Sequence, residues 1–174
     1  MAGEPEVWLR GRVDGFEPLL MPVAHALLQV REDLVSLAAR VPDEQVWSRP
    51  GGAASIGFHI RHTGGALDRL FTYARGEALT AGQKAFLGAE AEPGSPPETV
   101  AALVAGAVAV IDRALGQLRA TSPADLLTER RVGRAGLPSN TLGLLFHAAE
   151  HSTRHAGQAI TTAKILAGST PVTG

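Results

Sequence analysis

Residues 144–158 read Leu-Leu-Phe-His-Ala-Ala-Glu-His-Ser-Thr-Arg-His-Ala-Gly-Gln. The stretch reads as part of a last helix, running from about Ser139 or Thr141 to Ala167 and ended by Gly168. Residues four apart on a helix project from one face, about one turn from each other. His151 and His155 therefore point the same way. Two imidazoles so placed can hold one metal ion, and a third from another helix would complete an open site. A second helical segment, residues 55–71, carries His59 and His62, so five of the six histidines fall in these two short segments. The sixth, His25, stands alone and reads as an ordinary helical residue.

Working outward, the pattern predicts three more long helices. Leu27, Val30, Leu34, Leu37 and Val41 repeat at helical spacing behind Pro18 and Pro22, which places a first helix over 19–40. Residues 42–54, with Pro50, Gly51 and Gly52, read as a loop. Ser55 is a suitable N-cap for a second helix over 55–75. Its Gly64-Gly65 pair costs about 1 kcal/mol per glycine relative to alanine, so something passes close there or the helix bends. A long Gly/Pro-rich connection, 76–97, has room for a helical turn near 83–87. Ser95-Pro-Pro-Glu98 matches a capping box and predicts a third helix over 97–120. Residues 122–125 can start a short extra helix, and 128–138 read as a loop. The fourth helix covers 140–167, and the tail 168–174 reads as flexible. No stretch reads as a convincing strand. The expectation is one all-α domain over 1–174, a four-helix bundle whose long connection is a crossover that leaves the middle helices parallel.

Composition excludes several functions. The chain has 174 residues, enough to bury a real core. Sixteen basic residues against seventeen acidic ones give a net charge of −1, which supplies no excess positive charge to hold a nucleic-acid backbone. With no cysteine, disulfides, thiolate zinc sites and cysteine nucleophiles are ruled out. The N-terminus lacks a basic region followed by an apolar stretch, so no signal peptide is expected. The most apolar run, Thr99 to Ile111, is shorter than the about 20 residues a bilayer needs. A cytoplasmic protein with no membrane partner is the expectation.

The third ligand has two candidates, His59 and His62, which lie on adjoining faces of the second helix. A three-nitrogen site leaves positions free for water or substrate and would lower the pKa of a bound water or thiol. A rival motif overlaps it: His147-Ala-Ala-Glu150-His151 has the His-x-x-Glu-His form of inverted zinc peptidases, with Glu150 as base. That reading needs a later acidic ligand, and no Asp or Glu follows Glu150.

The two segments together resemble a known family. Ser55-Ile-Gly-Phe-His-Ile-Arg-His62 is similar to the second-helix signature of the DinB/YfiT-like superfamily. The run from His147 through His151 and His155 to Gln158 resembles its C-terminal signature, with Ala156 where Arg is usual. Trp47 and the Pro-Gly loop before Ser55 also look like the family. The resemblance covers about residues 20–167. It implies an up-down-down-up four-helix bundle, usually a homodimer, that binds one divalent metal through His62, His151 and His155. Zn or Ni come first as the ion, with Fe, Mn or Cu also accommodated. Some members resemble transferases or isomerases that use a low-molecular-weight thiol, so the resemblance implies a metal-dependent thiol S-transferase or hydrolase. The alternative is a non-catalytic metal- or ligand-binding stress module. An enzyme needs an open site, whereas a structural site would be closed by a fourth ligand, for which His59 and Glu150 are the nearby candidates.

Overall fold

The computed structural model describes residues 4–168. Its long helices are α1 (Met21–Ala38), α2 (Ile56–Ala74), α4 (Val100–Ala120) and α5 (Thr141–Gly168), with a shorter α3 (Ala81–Ala89) in the connection. The fold is mainly helical, in keeping with the expected bundle. The tail expectation beyond Gly168 lies outside the described residues.

Each long helix buries the stripe its spacing foretells. In α1 the buried set is Val23, Ala24, Leu27, Val30, Leu34 and Leu37. Ser55 caps α2 by accepting from the Phe58 backbone N–H at 3.1 Å, which satisfies a donor the first turn leaves orphaned. α1 and α2 both pack on α4 and on α5. The directions follow from cross-helix pairs. Along α2 and α5, His59 meets His155 while His62 meets His151, so these two run antiparallel. Along α2 and α4, Arg61 meets Glu98 and the Phe71 carbonyl meets Gln117, so these run parallel. Arg31 reaches Asp112 and Asp43 reaches the Val100 N–H, so α1 runs against α4. α2 and α4 thus point one way, and α1 and α5 the other.

Among the described residues, α4 is the one helix long and apolar enough to cross a membrane, with a mean hydropathy of 1.5. Its Leu103, Val104, Ala107, Ile111, Leu115 and Leu118 are instead part of the bundle core.

Three expectations need correction. The third long helix starts at Val100, where Thr99 accepts from the Ala102 N–H at 3.2 Å, and not at 97. The Glu98 side chain does not complete a box with Ser95, because it is taken by the Arg61 guanidinium at 2.7 and 2.9 Å. The capping box of this region lies earlier, between Thr80 and Gln83, and it makes α3 a nine-residue helix where only a turn was expected. Last, residues 128–138 are not all loop. Glu129–Val132 (β1) pairs antiparallel with Leu137–Asn140 (β2), Val132 opposite Leu137. Each strand is only four residues long, β1 carries Arg130 and Arg131, and β2 carries Pro138, so no apolar alternation marked them. The turn between them uses Gly133 and Gly136 at φ +68° and +60°.

Residues 4–20 form an ordered arm. Val7 is buried, its N–H donates to Gln29 at 2.9 Å, and Arg10 forks onto Glu32. His25 Nε2 holds the Gly11 carbonyl at 2.9 Å, which gives the isolated histidine a structural task.

Candidate metal centre

The antiparallel contact of α2 and α5 brings two histidine-bearing faces together. His62, His151 and His155 each offer a nitrogen, and the three nitrogens lie within 4.8 Å of one another. His62 Nε2 and His151 Nε2 are 2.9 Å apart. A tetrahedral site with nitrogen bonds of about 2.0–2.1 Å puts neighbouring nitrogens roughly 3.3 Å apart. The rings are therefore within a small adjustment of sharing one ion.

Their surroundings favour the neutral, ligating form. Burial pushes the His155 imidazole down to about 4, helped by neighbouring His62, His151, His59 and Arg154. Burial also lowers His151, with His62 next in effect. Metals bind deprotonated imidazole nitrogen, so these environments suit the group. Phe58 walls one side, its ring stacked on His62 at a centroid distance of 5.3 Å and edge-on to His155 at 6.2 Å.

The nitrogens away from the convergence differ in partner. His62 Nδ1 lies 2.7 Å from Glu90 Oε2. His155 Nδ1 lies 3.0 Å from His59 Nδ1. His151 Nδ1 is buried and meets no protein partner, so His151 alone of the three has a second nitrogen uncommitted. Glu90 caps the end of α3, is 3% exposed and also accepts from Arg69 at 2.6 Å. Gly65 explains how it gets there: a Cβ at that position would lie 2.2 Å from Glu90 Oε1. The close approach expected at Gly64-Gly65 is thus α3 and its carboxylate at Gly65, and Ala107 of α4 at Gly64.

Cavity volume does not locate this chemistry. A cavity of about 410 Å³ between α2, α3 and α4 is lined by Ile60, Phe86, Leu103 and Val110, among others, and by no histidine. A smaller recess of about 170 Å³, lined by Arg49, Ala54, Ser55, Phe58 and Ala91, abuts the histidine cluster through Phe58. The donor set is the better guide, because among the described residues His62, His151 and His155 are the group of three placed to hold a metal ion.

A family model described as DinB superfamily matches residues 26–159. The chain belongs to the DinB superfamily. No curated protein matches it. The DinB match takes in all three clustered histidines, Glu90 and His59.

Within this DinB chain, the remaining sequence candidates sort cleanly. His147 is half exposed and its Nδ1 lies 2.8 Å from Glu150, outside the three-histidine group. Glu150 also binds Arg154, at 2.7 and 2.9 Å. The peptidase motif therefore forms a surface ion network, and Glu150 supports no clustered histidine. His59 is 6% exposed and faces His155 without joining the group of three. Glu90 was missed from sequence because it sits in a Gly/Pro-rich connection far from every histidine motif. The paired glycines of α2 were its only trace.

Proposed function

We infer that this protein is a metal-dependent enzyme, of thiol S-transferase or hydrolase type, that works at His62, His151 and His155. One observation carries the reading: three imidazole nitrogens converge while the two side chains that could close the site stay outside the group. His59 is held on His155, and Glu150 on Arg154 and His147. Among the described residues, no fourth His, Asp or Glu joins the cluster. A divalent ion held by three neutral imidazoles supplies a Lewis acid that makes a water or a thiol nucleophilic near neutral pH. Zn or Ni suit such a set first, and Fe, Mn or Cu also fit imidazole donors.

The chain's own residues supply the setting. Phe58 covers His62 and limits water on that side. The recess at Arg49, Ser55 and Phe58 offers a small, partly apolar seat with one guanidinium at its edge. A low-molecular-weight thiol carrying a carboxylate matches that lining, with Arg49 taking the charge. The absence of cysteine is compatible with a thiol that arrives as substrate.

The test starts with metal analysis of protein purified without an affinity tag. Bacterial thiols are then screened with an electrophilic acceptor, beside His155→Ala. About one equivalent of divalent ion and turnover that the variant lacks are expected. Stoichiometric metal with no turnover of any thiol or ester would instead favour the non-catalytic module, and protein that takes up none of these divalent ions would end the enzyme reading and leave only a ligand-binding module.

A further inference from the structure

Glu90 is an expensive residue to keep where it is. A carboxylate at 3% exposure loses its water and must be paired to be tolerated. Arg69, itself 8% exposed, supplies the charge. An Arg–carboxylate pair is strongest when both oxygens meet the same guanidinium fork. Here the oxygens are divided. Oε1 accepts from Arg69 at 2.6 Å and Oε2 turns to His62 Nδ1 at 2.7 Å. Gly65 keeps open the slot through which the carboxylate reaches.

We propose that Glu90 is a positioning residue of the histidine site, holding the Nδ1–H of His62 so that Nε2 presents its lone pair to the ion. This rests on the metal reading of His62, His151 and His155. The geometry selects the nitrogen. Nε2 of His62 is the atom that meets His151 Nε2 at 2.9 Å, and it carries a free lone pair only when the ring proton is on Nδ1. An acceptor on Nδ1 fixes that tautomer and the ring's rotation together. His155 has only the neutral imidazole of His59 on its Nδ1, and His151 has nothing there. His62 is therefore the one ring anchored by a carboxylate, and the others close on it. The inference also assigns a role to α3: it delivers Glu90 across the Gly65 gap.

The experiment compares wild type, Glu90→Gln and Phe86→Ala. Phe86 packs over the same glycine, with its ring 2.7 Å from the Cβ position of Gly65, so its loss trims α3 packing while Arg69 still holds the carboxylate in place. Zn(II) affinity is measured by competition with a chromophoric chelator, the Co(II) absorption spectrum is recorded, and nitrogen-15 NMR reads the imidazole tautomers of the metal-free proteins. Positioning predicts the Nδ1–H tautomer at His62 in wild type. It predicts a mixed tautomer and ~10–100-fold weaker Zn(II) binding in Glu90→Gln, a changed Co(II) spectrum, and Phe86→Ala close to wild type. Equal affinity loss in both variants would reduce Glu90 to an anchor for α3 and overturn the proposal. So would an unchanged Glu90→Gln, or the Nε2–H tautomer in wild type, which decides the matter even if the variant fails to fold. A wild type that takes up no Zn(II) sinks the metal reading itself, and the proposal falls with it.

Discussion

His151 and His155 stand one helical turn apart, and His62 meets them from the facing helix. Replacing any of the three by alanine is expected to weaken Zn or Ni binding by orders of magnitude in calorimetric titration, because two imidazoles hold an ion far less well than three. His25→Ala should match wild type, since its ring serves the Gly11 carbonyl. A His59→Ala loss larger than that of His62→Ala would place the ligand one turn off. Acid should also act on the metal-free fold. His155 is lowered from 6.5 to about 4 in the folded chain, so between those values the unfolded chain takes up a proton that the fold refuses. Stability tied to the neutral ring is full above pH 6.5 and is lost as pH falls toward 4. His59 and His151, both lowered chiefly by burial, add in the same direction. The thermal midpoint of apo protein should drop across this window, and His155→Phe should drop less; a flat profile would refute the assignment. At this scale the ligand triad was legible, since helical spacing exposes it in one dimension. Glu90 was not, because a contact made across 28 positions leaves no periodic mark.

Glycine shows how one element constrains another. At Gly65 of α2 an added Cβ would meet Glu90 and Phe86 at 2.2 and 2.7 Å, so Gly65→Ala must displace α3. A cost of about 1–3 kcal/mol in urea unfolding is expected, with weaker Zn binding. At Gly106 of α4 an added Cβ meets nothing within 4 Å. Gly106→Ala should stabilise by about 0.5–1 kcal/mol through helix propensity alone. The four long helices were readable because apolar residues recur at helical spacing in each, and Ser55 also marked the start of α2. The hairpin of β1 and β2 was not. It is held by its own ladder and by Arg130 donating to the Ala74 carbonyl at 2.7 Å, and such a bond belongs to tertiary placement. The misplaced start of α4 has a similar cause: Glu98 had a better partner in Arg61 than in its own helix end.

As a whole molecule, the chain is expected to form a homodimer, an expectation carried by the family resemblance. Light scattering should give about twice 18.1 kDa at micromolar concentration, and a mass near 18.1 kDa would refute it. The bundle's connectivity has a further, kinetic meaning. His62 and His151 are 89 positions apart, on helices that meet only when the last segment of the chain has docked. Closing so long a loop costs entropy before any contact rewards it. The ligand set therefore exists only in a nearly finished fold, and an ion arriving early finds at most the local pair on α5. In stopped-flow experiments Zn should leave the refolding rate nearly unchanged and slow unfolding, as expected of an interaction absent from the transition state. Loading would then record that the nascent chain has completed its fold, and a chain cut short before residue 151 could not be rescued by any supply of metal.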